Sequence, residues 1–267
     1  MNGQRQALEN RLHTGRWALL WFASTLLTAM PVGAQPNAAP EQVLDRVCDW
    51  FKAQKAFRVE VDTAYDDVLE DGQKVQYSAF QQLSVQKPDR LRSDYVGDER
   101  VTEFYYDGKS FALLSPQKKL YVTRSAPATI DQAVDTIAEK YGITIPLSNL
   151  AVADPCTRLR SDLLTGTFVG NDMVNRVTGS HFLFSGSERD WQLWVSDGEK
   201  PLPMKLVITY KKLPGAPQYT AVFSNWDFAP GFSEEAFAFK PPAGAYGIEF
   251  LPPESAQNAP QKRGKKL

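Results

Sequence analysis

Few side chains in this sequence have the type and spacing that catalysis requires. The chain has two histidines, His13 and His181. Ser180 adjoins His181, but neighbouring residues of a β-strand point to opposite faces, so the two cannot form a nucleophile–base pair. The sequence also lacks the G-x-S-x-G elbow, the P-loop and the G-x-G-x-x-G fingerprint. We therefore expect no catalytic residue, and we interpret His181 as a hydrogen-bonded residue of the core or its rim.

Metal and cofactor sites have equally little support. Asp66, Asp67, Glu70 and Asp71 cluster near a predicted turn, but the calcium-loop order D-x-[DN]-x-[DN]-G is absent. A solvated turn explains this acidic cluster better. Two cysteines are too few for a multi-cysteine zinc site. We expect neither a metal ion nor a cofactor.

The two cysteines, Cys48 and Cys156, have a structural interpretation instead. In an oxidising compartment such a pair usually forms a disulfide, and two buried free thiols are the alternative. A bridge would join the first predicted helix to a central helical segment. It would close a loop of about a hundred residues and stabilise the fold by about 4 kcal/mol in the chain-entropy model.

The amino terminus predicts export. Three arginines precede an apolar run, Trp17–Leu27, and small residues follow at 32–34. This is the order of a secretory signal peptide, so we predict one over residues 1–34, cleaved after Ala34. An uncleaved anchor helix is the alternative, but the apolar run is shorter than the roughly 18 residues that a membrane span needs.

Composition narrows the class of the exported part. The chain has 267 residues, with 30 Lys and Arg against 31 Asp and Glu, for a formal net charge of −1. Nucleic-acid-binding proteins usually carry a basic excess, so we expect no nucleic acid partner. The 43% hydrophobic content argues against a wholly disordered chain. A chain of this length can bury a sizeable core in one globular domain or in two.

Hydrophobic periodicity predicts the order of helices and strands. A period near 3.6 over residues 41–56 predicts a helix, and residues 58–124 predict about six antiparallel strands because their connections are short. A capping box, Thr129 with Gln132, begins a helix that ends at Gly142, and a shorter helix begins at Asp154. Further strands are predicted at residues 174–184, 191–195, 203–210, 218–226 and 236–239.

This order predicts a single α+β domain over residues 35–251. Residues 252–267 are rich in proline, then basic, and lack an apolar period, which predicts a disordered tail. Its four cations either contact anionic lipid head groups or only solubilise the chain. They are Lys262, Arg263, Lys265 and Lys266.

Several predicted strands are apolar on both faces. Trp191 and Leu193 share one face while Trp194 lies on the other. A one-sided antiparallel sheet alternates more cleanly, so helices or a hydrophobic ligand must cover part of both faces. Ordinary core packing explains each large side chain singly, but together they are candidates for the lining of a hydrophobic cavity. The candidates are Phe104, Tyr106, Phe111, Trp191, Leu193, Trp194, Tyr210 and Phe223.

Three segments resemble the lipoprotein carriers of the LolA and LolB type. They are VQKPDRLR at residues 85–92, YDGKS at 106–110 and FAFKPPAG at 237–244. The chain is more similar still to an uncharacterised family of predicted periplasmic bacterial proteins, through DWQLW at 190–194 and PLPMKLVITYK at 201–211. The resemblance extends over about residues 41–252.

The resemblance implies a strongly curved antiparallel half-barrel of about eleven strands, with helices packed over its concave face as a lid. Carriers of this fold hold acyl chains in the concavity. An arginine before the proline of their K/R-P motif fastens the lid, and here Lys87 has that place. Lys87 is therefore a candidate lid contact, although an ammonium cannot make the bidentate bonds of a guanidinium. The Cys48–Cys156 bridge would also restrain the lid.

These arguments lead to one functional hypothesis with one alternative. The first is a non-catalytic, monomeric periplasmic protein that binds lipid or lipoprotein acyl chains in a hydrophobic concavity. The alternative is an envelope sensor or interaction module of the same fold, which binds a protein partner. A concavity that is dry and well packed would favour the alternative.

Overall fold

The computed structural model describes residues 39–249. The predicted signal peptide and the basic tail lie outside them. Three α-helices are present in this range: α1 (Pro40–Ala53), α2 (Ile130–Tyr141) and α3 (Thr157–Ser161). The strands are β1 (Ala56–Val68), β2 (Lys74–Gln86), β3 (Arg90–Gly97), β4 (Val101–Tyr106), β5 (Ser110–Ser115), β6 (Leu120–Ser125), β7 (Leu163–Val174), β8 (Val177–Gly186), β9 (Asp190–Ser196), β10 (Pro203–Thr209), β11 (Gln218–Asp227) and β12 (Tyr246–Gly247).

All twelve strands belong to one curved, unclosed sheet. Its order is β12-β6-β5-β4-β3-β2-β1-β11-β10-β9-β8-β7. Every neighbouring pair is antiparallel except β12 and β6, which are parallel. The predicted α+β class and half-barrel are confirmed, with the two-residue β12 as a strand beyond the eleven expected. The central pairing of β1 with β11 joins the strands that precede the helical segment to those that follow it.

The two long helices form where the sequence predicts them because each has an apolar stripe and suitable ends. In α1 the stripe includes Val43, Leu44, Val47 and Phe51, all buried. In α2 the Thr129 side chain accepts a hydrogen bond from the amide of Gln132, as the capping box predicts. Gly142 ends α2 in the left-handed region, with φ of 66°, where glycine is favoured.

Both helical stripes pack on the same face of the sheet, which we call the inner face. A single buried cluster contains residues of α1 and α2 together with inward residues of β1 to β5, β8, β9 and β11. Trp191 and Leu193 belong to it, whereas Trp194 lies in a small cluster on the outer face with Val174 and Val207. Helices therefore cover the inner face. This is one of the two explanations, helices or a hydrophobic ligand, that the sequence analysis offered for strands with two apolar faces.

The chain after β11 covers part of the outer face. Phe232 lies beneath the guanidinium of Arg58, 5.0 Å from its ring centre, and Phe239 packs on Tyr105 and Tyr121 at 5.5 and 5.2 Å. The chain then adds β12 beside β6. This crossing covers the outward side chains of Arg58, Tyr105 and Tyr121.

One strand was not predicted, and two local predictions are wrong. Residues 163–174 form the edge strand β7, in which Gly166 and Gly170 interrupt the apolar pattern. The short helix begins at Thr157 and not at Asp154, whose carboxylate instead accepts a hydrogen bond from the amide of Cys156. Residues 236–239 are not a strand, because Phe237 is buried against Phe232 on the outer face without a strand partner.

Candidate functional site

The large apolar residues singled out from the sequence do not all lie together. Six of them are buried in the cluster beneath the helices: Phe104, Tyr106, Phe111, Trp191, Leu193 and Phe223. Trp194 lies on the outer face, where it stacks on His181 with ring centres 3.9 Å apart. Tyr210 follows β10, is half-buried and belongs to neither cluster. The six inner residues belong to this packed core, and Phe104 alone among the eight lines the cavity described next.

A cavity of about 250 Å³ lies between strands β3 to β5 and the segment that follows α2. Four apolar side chains, Phe104, Leu113, Ile143 and Ile145, give it a hydrophobic interior. Hydroxyl-bearing residues and one cation complete the lining, and Arg100 and Thr144 are exposed where the cavity meets solvent. The full lining is Ser93, Tyr95, Arg100, Thr102, Phe104, Leu113, Gly142, Ile143, Thr144, Ile145 and Pro146.

Strand alternation explains how β3 and β4 build one wall. Ser93 pairs with Phe104 and Tyr95 pairs with Thr102, so all four residues point to the inner face. The ring of Tyr95 lies over Gly97, two residues further along the same strand, where an added Cβ would lie 2.9 Å from the ring and 2.9 Å from the Cβ of Ala79. Gly97 therefore leaves room for the close approach of Tyr95 and Ala79.

A buried glutamine anchors the opposite wall. Gln81 of β2 is fully buried, and its Nε2 donates to the hydroxyl of Ser93 and to the carbonyl of Pro146, both at 2.9 Å. Its Oε1 has no hydrogen-bond partner among the described residues. Gln81 thus ties the segment after α2 to the sheet, at the cost of an unsatisfied buried acceptor.

The mouth of the cavity carries one positive charge. The guanidinium of Arg100 lies 5.2 Å from the ring centre of Tyr95. The adjacent Glu99 accepts a hydrogen bond from the hydroxyl of Tyr65. Burial, followed by the bond to Glu99, raises the pKa of Tyr65 above its ordinary value, so this phenol stays protonated.

Lys87 connects the sheet to the end of α1. Its Nζ donates to the carbonyl of Phe51 at 2.8 Å, and its amide donates to the carbonyl of Lys55. The next residue, Pro88, accepts the amide of Ile130 at the start of α2. Burial lowers the pKa of Lys87, and the charges of Asp131 and Asp154 oppose that effect. Lys87 and Pro88 together thus contact both long helices.

A disulfide between Cys48 and Cys156 joins α1 to the start of α3, with a Cα–Cα distance of 5.8 Å. Two ion pairs reinforce the same junction: Lys52 with Asp154 and Asp45 with Arg160, both at 2.7 Å. The hydrogen bond from Lys52 is the main reason that the pKa of Asp154 is lowered. Of the two possibilities that the sequence left open, a disulfide or two buried free thiols, the structure has the disulfide.

His181 has both ring nitrogens engaged on the outer face. Nδ1 lies 2.8 Å from Asp172, and Nε2 lies 3.0 Å from Gln192. Ser180 instead bonds Asp197. These contacts give His181 the role of a hydrogen-bonded rim residue. Within residues 39–249 no three metal-ligating side chains converge, and none of the helices in that range is long and apolar enough to cross a bilayer.

Sequence reasoning missed most of the cavity lining. The alternation of β3 and β4 was a usable signal for Ser93, Tyr95 and Thr102, since Phe104 had already been identified on that face. No feature of the sequence identified Arg100 or Ile143 as part of the cavity lining. Their position depends on how the hairpin between β3 and β4 and the segment after α2 approach each other across the sheet.

Comparison with known proteins gives one family and several distant structures. A family model described as "Predicted periplasmic protein (DUF2092)" matches residues 40–251. No curated protein matches the chain.

Three solved structures are similar at low identity. An uncharacterized conserved protein from Thermus thermophilus has 9% identity and a TM-score of 0.43, with 78% of this chain and 97% of that chain covered. LprF from Mycobacterium bovis has 14% identity and a TM-score of 0.41, covering 78% and 100%. A LolA superfamily protein from Nitrosomonas europaea has 12% identity and a TM-score of 0.38, covering 75% and 98%.

Proposed function

Because the chain belongs to the DUF2092 family of predicted periplasmic proteins, we propose that it is a non-catalytic periplasmic protein that binds one acyl chain of a lipid or lipoprotein. The observation that carries the proposal is the cavity of about 250 Å³ with an apolar interior, between the sheet and the segment after α2. The signal peptide over residues 1–34, cleaved after Ala34, is part of the same proposal.

The size of the cavity sets the size of the ligand. A cavity of about 150 Å³ holds a benzene molecule, so 250 Å³ accommodates a chain of roughly ten carbons. Burial of about 0.8 kcal/mol per methylene gives such a chain roughly 8 kcal/mol before the costs of association. A second chain would require the helices to move away from the sheet.

The lid contacts argue for this limit of one chain. The Cys48–Cys156 bridge and the Lys87 hydrogen bond both hold α1 in place. The segment of residues 142–147 has fewer ties, with the bond from Gln81 to Pro146 among them. We propose that the ligand enters beside this segment and leaves α1 unmoved.

Native mass spectrometry of the protein purified from a periplasmic extract tests the proposal. We expect extra mass of lipid size that is lost on denaturation, and uptake of lysophospholipid by the emptied protein. Leu113→Trp, which fills the cavity, should abolish uptake. Val96→Trp is the matched control, because Val96 is 54% exposed on the outer face of β3. A protein that carries no lipid and takes up none would overturn the proposal.

A second candidate function is binding of a protein partner through the edge strand β7. Its free edge offers unpaired backbone groups, and Leu164, Val169 and Met173 are 69%, 52% and 67% exposed. An extended peptide segment would extend the sheet there. Crosslinking in the periplasm tests this function: Val169→Lys should prevent capture of the partner, and unchanged capture would contradict it.

A further inference from the structure

We propose that the ligand of this cavity is a single-chain amphiphile with an anionic head group, which Arg100 binds at the mouth. The proposal rests on the acyl-chain function above and adds the chemical class of the head group. Its basis is the lining, which combines apolar side chains, hydroxyl groups and one cation.

Arg100 is available to bind an anion. Its side chain is exposed, and it makes no ion pair within 4.0 Å with any carboxylate of residues 39–249. The neighbouring Glu99 is engaged by the hydroxyl of Tyr65. The contact with the ring of Tyr95 keeps the guanidinium beside the cavity, where its planar donors match a carboxylate or phosphate.

Hydroxyl groups line the cavity beside its apolar side chains. The hydroxyl of Ser93 accepts a hydrogen bond from Gln81, which leaves its own proton free for an oxygen in the cavity. Thr102 lines the same wall, opposite Tyr95 in the β3–β4 ladder. An anionic head near Arg100 would thus meet further donors, while its chain would contact Phe104 and Leu113.

The lining also excludes the opposite charge. None of the residues that line the cavity carries a carboxylate. A cationic head group would therefore meet Arg100 without a compensating partner, and like charges repel. A neutral alcohol would gain the burial of its chain but not the charge-assisted hydrogen bond.

Isothermal titration calorimetry with four ten-carbon probes tests the proposal: decanoate, decyl phosphate, decanol and decyltrimethylammonium. We expect the two anions to bind the mature protein about tenfold more tightly than decanol, and the cation more weakly than decanol. The stronger of the two anions then distinguishes a carboxylate source from a phosphate source. Acetate and inorganic phosphate should not displace decanoate, because they lack the chain.

The variant Arg100→Gln should reduce binding of both anions to the level of decanol and leave decanol binding unchanged. Arg176→Gln is the matched control, since Arg176 is an exposed arginine on the β7–β8 turn at the edge of the sheet. Affinity should rise about fourfold per added methylene up to roughly ten carbons and then level off.

The outcomes separate the two proposals. Equal binding of decanol and decanoate would overturn the head-group assignment and leave the acyl-chain function intact. An anion preference that persists in Arg100→Gln, or displacement of decanoate by inorganic phosphate, would also overturn it. Failure of all four probes to bind would overturn both proposals.

Discussion

Removal of the Cys48–Cys156 bridge should destabilise the fold by a large and calculable amount. The cysteines are 108 residues apart. For a loop of that length the chain-entropy model gives about 4.8 kcal/mol at 25 °C. Natural domains have a free energy of unfolding of only about 5–15 kcal/mol. The double variant Cys48→Ala/Cys156→Ala should therefore lose a third or more of the stability of the wild type.

Packing adds a smaller loss that reduction alone does not cause. Cys48 and Cys156 are 0% and 3% exposed. If each buried sulfur is taken as one methylene, its removal costs about 0.8 kcal/mol. Reduction of the wild type breaks the same cross-link but keeps both sulfurs in the core. The variant should therefore be less stable than the reduced wild type by about 1.6 kcal/mol.

Urea denaturation followed by tryptophan fluorescence measures both terms. Four samples are needed: the oxidised wild type, the wild type with dithiothreitol, and the double variant with and without dithiothreitol. Opening the cross-link should also raise the m-value, because the unfolded chain then exposes more surface. Dithiothreitol should not change the variant, which controls for other effects of the reductant.

One result would refute the reasoning. If reduction lowers the free energy of unfolding by less than about 1 kcal/mol, the loop-entropy argument fails. The mass of the denatured, unreduced protein then decides the cause. A mass lower by two hydrogens than that of the reduced protein would prove that the bridge was formed and simply did not stabilise the fold.

Three further predictions concern the lid and the cavity. Lys87→Met should lower the free energy of unfolding by about 1.5–3 kcal/mol near neutral pH, since it removes the ammonium group that donates a hydrogen bond to the carbonyl of Phe51. Burial lowers the folded-state pKa of Lys87 below 10.5, so the wild type should gain stability relative to Lys87→Met as pH rises toward 10.5; urea midpoints across this window check the sign. Burial raises the pKa of Tyr106, a donor to the Pro127 carbonyl, to about 12. The stabilisation that the protonated Tyr106 gives to the fold is present below pH 10 and should be lost as pH rises through the folded-state pKa of about 12. Tyr106→Phe should remove one phenol that ionises late in an ultraviolet titration, and it should lower the free energy of unfolding by about 1 kcal/mol. Phe104→Leu should cost about 1 kcal/mol and move the chain length at which affinity levels off to longer chains, and an unchanged limit would contradict the assignment of Phe104 to the cavity.

Local signals in the sequence were sufficient for most elements. The capping box at Thr129 and the glycine at 142 fixed the ends of α2, because a cap depends on residues within one turn. The short turns between the predicted strands indicated antiparallel pairing for the same reason. Strand β7 was missed because glycines at 166 and 170 interrupt its apolar residues, which leaves little of the alternation that identifies a strand.

The sequence by itself determined the helices, most strands, the two faces of each strand and the two cysteines available for a bridge. These follow from backbone preferences and from side-chain periods of 2.0 and 3.6 residues, which are properties of neighbouring residues. The tertiary structure alone decided where the inner face stays open. Large aromatic residues such as Trp191 and Phe223 are covered by other core residues. The cavity lies instead where α2 ends and residues 142–146 cross the sheet. That gap brings Arg100 of one hairpin to Ile143 of a distant segment, and only long-range packing places the two side by side.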